Sequence, residues 1–295
     1  MSIKFSQVSF GYEASPLLSH LSFTVPDGAL TALAGATGSG KSTILKLAAG
    51  LLRPQAGAIT VDNAPIWRRS LLGRHRRDPK LPWRLGYVMQ RPERQLFANT
   101  VLDDVAFGPK NAGLAPQEAA SAAQEALELL DVAPLARRSP FELSGGQQRL
   151  VAIAGVLAMK PRNLVLDEPL SALDPQGRAL VERALSQLTT PDGALLMVCH
   201  DMDAIGRIAS RMVVLDHGAI ALEGSCAQVF SQAEKLHRLG LGLPAPLAFA
   251  QQLEARTGAT LGAPLTEDAL VAAILASQGC ATGAGAPDEP EGGAL

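Results

Sequence analysis

The eight residues Gly35-Ala36-Thr37-Gly38-Ser39-Gly40-Lys41-Ser42 constrain this chain more than anything else in it. They fit G-x-x-x-x-G-K-[ST] without a mismatch and stand between an apolar run, Ala29 to Ala34, and a helix-like stretch, Lys41 to Leu52. That is the strand, loop, helix order of a nucleotide-binding α/β core. Glycines let the backbone wrap closely, so that successive N–H groups and the N-terminus of the following helix point at anionic oxygens. The pattern predicts that Lys41 reaches the β- and γ-phosphates of a nucleoside triphosphate and that the Ser42 hydroxyl completes the shell of a Mg²⁺ ion. GTPases, small-molecule kinases and ATPases share such a loop, so the remaining residues must separate them.

Composition narrows the field. Hydrophobic residues make up 47% of the 295, enough for a sizeable core and too many for a disordered chain. Lys and Arg number 26 against 28 Asp and Glu, and a net charge of −2 supplies no global field for a polyanion, so no nucleic-acid partner is expected. Cys199, Cys226 and Cys280 have no metal-ligand spacing and read as reduced thiols. Met1 to Tyr12 lacks the apolar core of a secretory signal, and the apolar stretches Leu150 to Met159 and Ala269 to Ala276 fall short of the roughly 18 residues a spanning helix needs.

Ser2 to Phe10 and Leu21 to Val25 alternate as half-buried strands do, so an antiparallel β layer is expected to open the chain. Buried strands are expected at Arg84 to Met89, Leu164 to Asp167, Leu195 to Cys199 and Met212 to Leu215. Helices are expected at Pro116 to Leu130 and Gln147 to Met159, forming a block set into the α/β core. The chain turns helical again from Gly224 to about Arg238, Gly240 to Pro246 reads as a linker, and Thr266 is placed to cap a last helix with an apolar stripe at Leu270, Val271, Ile274 and Leu275.

Two further motifs carry chemistry. Asn163-Leu164-Val165-Leu166-Asp167-Glu168 is an apolar strand ending in two carboxylates. Asp167 is expected to hold Mg²⁺ and Glu168 to polarise the water that attacks the γ-phosphate. The long separation from Lys41 to Asp167 leaves room for the helical block, which compact GTPases lack. Inside that block, Leu143-Ser144-Gly145-Gly146-Gln147 precedes a helix. Ser144 and Gln147 fit a capping box, but two adjacent glycines make better sense if bare N–H groups and a helix dipole must approach an anion.

These residues resemble the ATP-binding cassette (ABC) ATPases, whose signature is LSGGQ. By that resemblance Tyr12 stacks on adenine, Gln90 senses Mg²⁺ and the attacking water, Ser171 to Asp174 form the D-loop and His200 is the switch histidine near the γ-phosphate. The fold implied is a P-loop NTPase core with an antiparallel β layer and an inserted helical subdomain, here 1–238 with the subdomain at about 91–160. A helical extension at 239–280 and a disordered tail at 281–295 follow. The cofactors implied are ATP and Mg²⁺. Two subunits pack head to tail, with Ser144, Gly145, Gly146 and Gln147 of one closing on ATP held by Gly35 to Thr43 of the other.

The stretch Gly86 to Asn111, with Gln95-Leu96-Phe97 and Phe107 to Asn111, is similar to the ATPases of energy-coupling factor (ECF) transporters and of cobalt and nickel uptake systems. The resemblance implies an ATP-hydrolysing subunit, peripheral on the cytoplasmic face, that powers import of a vitamin or a transition metal ion. Its implied partners are a second ATPase subunit, an integral membrane coupling protein and a substrate-binding membrane component. Arg91 to Asn99 become the surface that receives the membrane partner. Leu239 to Pro246 and Leu265-Thr266-Glu267 followed by a helix resemble the ECF tail that pairs two ATPases; covering an apolar edge of its own subunit is the other reading. Another ABC importer type, a soluble ABC protein and a small-molecule kinase are the competing functions, and the kinase leaves LSGGQ and His200 without a job. The basic run from Arg68 to Arg84 reads as solvated surface or as an attractor of anionic headgroups.

Overall fold

The computed structural model describes residues 3–13, 15–69 and 74–281. In chain order the elements begin with β1 (Ile3–Tyr12), β2 (Ser15–Val25), β3 (Ala29–Gly35), α1 (Lys41–Ala48) and β4 (Ala56–Val61). Next come β5 (Ala64–Pro65), β6 (Trp67–Arg69), β7 (His75–Arg77), α2 (Leu81–Arg84) and β8 (Leu85–Val88). Three long helices follow, α3 (Val101–Asn111), α4 (Pro116–Leu129) and α5 (Gly145–Leu157). The chain returns to the core through β9 (Asn163–Asp167), α6 (Pro175–Leu188), β10 (Ala194–Val198), α7 (Met202–Ile208), β11 (Arg211–Asp216) and β12 (Ala219–Ser225). It continues through α8 (Cys226–Phe230), α9 (Ala233–Arg238), α10 (Ala245–Thr257) and α11 (Glu267–Ala281).

The main sheet runs β12-β11-β3-β10-β9-β8, with β3, β8, β9, β10 and β11 parallel and β12 antiparallel at one edge. Every residue of β3, β9 and β10 is buried, as strands covered on both faces must be. A second sheet, β2-β1-β4-β5, is antiparallel. Its face packs Phe5 on Phe23, rings stacked at 4.4 Å, against α1 and the main sheet. Helices α3, α4 and α5 form one cluster through Val101, Val105, Ala119, Ala123, Leu127, Val151 and Ala154.

The alternation at the start of the chain is broken where the structure bulges. Gln7 and His20 have φ near 50°, and the β1 to β2 register shifts between Phe5 and Gly11, which carries β2 back to Ser15. Helix α1 is shorter than its sequence pattern, because Gly50 at φ 65° ends it in the left-handed conformation that glycine adopts cheaply. The expected linker holds for Gly240 to Leu243 and then enters α10, whose buried face is Pro246, Leu247 and Ala250.

The extension folds back on α7. The Ala245 amide donates to Asp203 Oδ1 at 2.6 Å, and Gly206 lets the Leu265 carbonyl approach to where a Cβ would be 2.8 Å from it. Thr266 Oγ1 accepts from the Ala269 amide at 3.2 Å and caps α11 as its sequence predicts. On α11, Val271 and Leu275 stay exposed. The proposed tail lies outside the described residues beyond Ala281. Cys199 and Cys226 are buried and free, and burial pushes both thiols up to about 11.

Asn163 ties the layers together. Its Nδ2 donates to Asp62 Oδ2 at 3.1 Å and to Arg84 O at 3.0 Å, while its Oδ1 accepts from the Ala194 amide at 3.1 Å. Asn163→Leu keeps the volume but orphans a buried N–H and a buried carbonyl, and is expected to lower unfolding free energy by about 2–4 kcal/mol. The midpoint of chemical denaturation reads this out; an unchanged midpoint contradicts the tie.

Candidate active site

The C-terminal ends of β3, β9 and β10 place three segments around one cleft. Thr37, Gly38, Gly40, Lys41, Ser42, Thr43, Gln90, Glu168 and His200 line it, with Leu17 from β2 beside them. Gly35, Gly38 and Gly40 have φ of 144°, 83° and 103°, and a Cβ at Gly35 would collide with the Leu215 carbonyl. The glycines are therefore required by backbone conformation and close approach.

Helix α1 starts without a side-chain cap, as α2, α4, α9 and α10 also do. Thr100, Ser144, Asp174, Asp201 and Ser225 cap α3, α5, α6, α7 and α8 with side-chain oxygens, whereas the N-cap of α1 is Gly40 with no side-chain cap. Its first-turn amides are left to an external acceptor at the positive end of the helix dipole. Lys41 is buried; its Nζ donates to Gly35 O at 2.7 Å and Ala36 O at 2.8 Å, which uses two of its three protons. Burial lowers its pKa, and Glu168 and Asp167 oppose that shift. The Ser39 hydroxyl is buried without a partner in the middle of the loop. Uncapped amides, a spare ammonium proton and an orphaned hydroxyl are what a phosphate group satisfies, so the residues fit a nucleoside triphosphate.

The acidic side is equally constrained. Ser42 Oγ donates to Asp167 Oδ1 at 3.2 Å, joining the hydroxyl and the carboxylate expected around Mg²⁺. Burial raises the Asp167 pKa, which the Ser42 hydrogen bond opposes. One hydroxyl and one carboxylate form the oxygen set that a Mg²⁺ shared with phosphates requires, so these residues fit that ion too. Glu168 has φ 52°, a left-handed conformation that costs a non-glycine residue about 1 kcal/mol or more. Its amide donates to Val198 O at 3.1 Å, and its Oε1 lies 3.1 Å from His200 Nε2. Tyr12 is half-exposed, edge-on to Phe10 at 5.0 Å, with its hydroxyl 3.4 Å from Thr43 Oγ1.

The signature residues are elsewhere. Ser144 Oγ accepts from the Gln147 amide at 3.3 Å and Gln147 Oε1 from the Ser144 amide at 3.1 Å, a full capping box at the start of α5. With Gly146, these two side chains line a separate groove beside Leu173, Asp174 and Gly177.

Arg149 is the residue that sequence reasoning missed. It is buried, and its Nη2 donates to Gln90 O at 2.9 Å, Glu168 O at 2.7 Å and Ser171 Oγ at 2.9 Å, with Glu93 Oε2 3.6 Å from Nη1. Burial lowers the guanidinium pKa, which Glu93 and Glu168 oppose. One side chain thus fixes the backbones that carry Gln90 and Glu168. The available signal was an arginine opening the apolar run Leu150 to Leu157.

Fold and cleft together define a P-loop ATPase of the ATP-binding cassette class. The ABC transporter family model matches residues 18–171. The energy-coupling factor transporter ATP-binding protein EcfA2 of Lactiplantibacillus plantarum is 42% identical over 283 residues, covering 93% of this chain and 95% of its own. The protein of that name from Streptococcus pyogenes is 41% identical over 276 residues, at 92% and 98%. Among solved structures, cbiO1 of Clostridium perfringens, part of the ABC transporter complex cbiONQ, aligns with TM-score 0.70 and 30% identity over 87% of this chain and 95% of that one. The ATP-binding cassette MJ0796, a dimer bound to ADP and Pi, aligns with TM-score 0.67 and 25% identity over 76% and 98%. The chain belongs to the ABC transporter family, among the ATP-binding proteins of energy-coupling factor transporters. It is an ATPase.

One ammonium nitrogen cannot span the contacts that Nε makes to Pro169 O, Nη1 to Glu93 and Nη2 to Gln90, Glu168 and Ser171. Arg149→Lys is expected to lower ATP turnover by about 10²-fold through misplacement of Glu168 and Gln90, with nucleotide affinity kept within a few fold. Steady-state hydrolysis beside a nucleotide-binding titration checks this; an unchanged kcat contradicts the positioning role.

Proposed function

We propose that this chain powers an ECF-type importer of a vitamin or a transition metal ion, by ATP-driven closing and opening of an ATPase pair. It sits peripherally at the cytoplasmic face of the membrane, held by an integral coupling protein and a substrate-binding membrane component. No helix among the described residues is long and apolar enough to cross a membrane itself. Leu96 is buried, but Phe97 is exposed against Phe107, rings edge-on at 4.8 Å, and this aromatic pair is the contact offered to the coupling protein. The exposed Val271 and Leu275 of α11 support the subunit-pairing reading of the extension over the edge-covering one.

Gly35 to Thr43 hold the triphosphate, with Lys41 on the β- and γ-phosphates and Tyr12 against adenine. Ser42, Asp167 and Gln90 hold Mg²⁺, which when bound neutralises charge on the phosphate oxygens. Glu168 takes a proton from water as the water oxygen bonds to the γ-phosphorus and the bond to the ADP oxygen breaks. His200, at 3.1 Å, orients that carboxylate and lies beside the γ-phosphate.

One observation carries the two-subunit part. A Cβ at Gly145 would meet nothing within 4 Å and one at Gly146 only Leu173 Cδ2 at 4.0 Å. Neither glycine has a positive φ. Nothing inside this subunit requires them, so their bare amides serve a ligand from outside, the γ-phosphate held by the facing copy. ATP then stabilises the closed pair because it contacts both halves only there.

Glu168→Gln and Gly145→Asp separate the two halves of this reading. The first is expected to cut turnover about 10²–10⁴-fold with ATP still bound. The second leaves the melting temperature of the chain and binding of a fluorescent ATP analogue at the P-loop unchanged, while hydrolysis falls at least about 10²-fold. Wild-type turnover in either variant contradicts the role assigned to that residue.

A further inference from the structure

The β6–β7 hairpin carries charge that the ATPase cycle does not use. Its ladder sets Arg68 opposite Arg76. Like charges directly opposite each other destabilise a two-stranded sheet, so an arrangement of this kind is stabilised by an anion between or beside them. The one acid of the segment is already committed: Asp78 is buried, pairs with Arg84 and accepts from the Lys80 amide at 3.0 Å. Arg84 also donates to Val61 O at 2.6 Å, so it is an internal anchor. Arg68, Arg69, Arg76, Arg77 and Lys80 have no ion-pair partner among the described residues, and they line an open cavity of about 780 Å³.

The hairpin that carries these side chains is anchored to the core. Trp67 Nε1 donates to Leu52 O at 3.2 Å, and the Arg77 stem crosses Gly50, where a Cβ would lie 2.8 Å from its Cδ. The positive cluster thus stands on the C-terminal end of α1, the negative end of that helix dipole. Trp83, half-exposed on α2, flanks it between Lys80 and Arg84 in the sequence. Guanidinium forks match phosphate oxygens two at a time. An exposed indole beside basic side chains suits the boundary between headgroups and acyl chains.

We propose that this cleft binds the phosphate headgroups of anionic lipids, as a second membrane contact beside the protein partner. The choice of a lipid over a soluble phosphate rests on the transporter reading, which places the chain next to a bilayer. The attraction is local, because the whole chain carries −2 and charges act over about 8 Å at physiological ionic strength. That balance also disfavours a nucleic-acid backbone, which is held by many phosphate contacts at once.

The test sediments the full chain with phosphatidylcholine vesicles, with and without about one third phosphatidylglycerol, at low and high salt. Wild type is expected to bind the acidic vesicles selectively and to be released by salt. The Arg68→Ala/Arg76→Ala variant should bind roughly 30-fold more weakly, and Arg68→Lys/Arg76→Lys should fall between it and wild type. Fluorescent ATP binding by the same preparations should be equal, which separates failure here from failure of the ATPase reading. Equal vesicle binding by wild type and the alanine variant overturns the proposal, as does indifference to lipid charge. So does saturable binding of pyrophosphate or of an oligonucleotide through Arg68 and Arg76 without retention on vesicles.

Discussion

An ammonium buried at the end of a parallel sheet is the constraint around which the remainder is arranged. Desolvating Lys41 is costly unless its protons and its charge are matched. The loop answers with two of its own carbonyls, at 2.7 and 2.8 Å, and β9 answers with Asp167 and Glu168. Those carboxylates can sit there only because β9 is separated from β3 by β10 alone in the sheet, so both strand ends open into one cleft. The charges are compensated within the chain itself, while the uncapped start of α1 and the Ser39 hydroxyl keep hydrogen-bonding capacity that fits a phosphate.

Arg149 connects that centre to the helical block. It begins the buried stretch of α5, a helix of 13 residues that starts at the signature glycines, and it ends on the backbones of Gln90, Glu168 and Pro169 and on Ser171. A shift of α5 therefore moves the backbones that carry Glu168 and Gln90. Contact with a partner subunit at Gly145 and with a membrane partner near Phe97 would converge on the same guanidinium, Phe97 following the short helical turn that holds Glu93.

Much of this was legible in the sequence because local chemistry and global placement agree. The runs that became β3, β8, β9, β10 and β11 are apolar without alternation, as doubly covered strands must be. The phosphate loop and the capping box at Ser144 are set by residue type at fixed spacing, and both occur where expected. The parts that were not legible depend on distant groups. Ala245 to Thr257 has too few large apolar residues to form a stripe, and becomes a helix because Asp203 and α7 receive its first turn. The β6–β7 hairpin shows in sequence mainly as basic residues, since its strands pair through backbone and, Trp67 apart, leave their side chains exposed. Arg149 looks like a surface charge until the fold encloses it. Helix α1 stops early at a glycine that a helical pattern tolerates on paper.

The central claim is that hydrolysis belongs to the pair. Turnover per subunit, followed through serial dilution with sedimentation measured on the same samples, addresses it directly. The account predicts that the rate per subunit falls toward zero as the dimer disappears. A constant, full rate at dilutions where every molecule sediments as a monomer would contradict it.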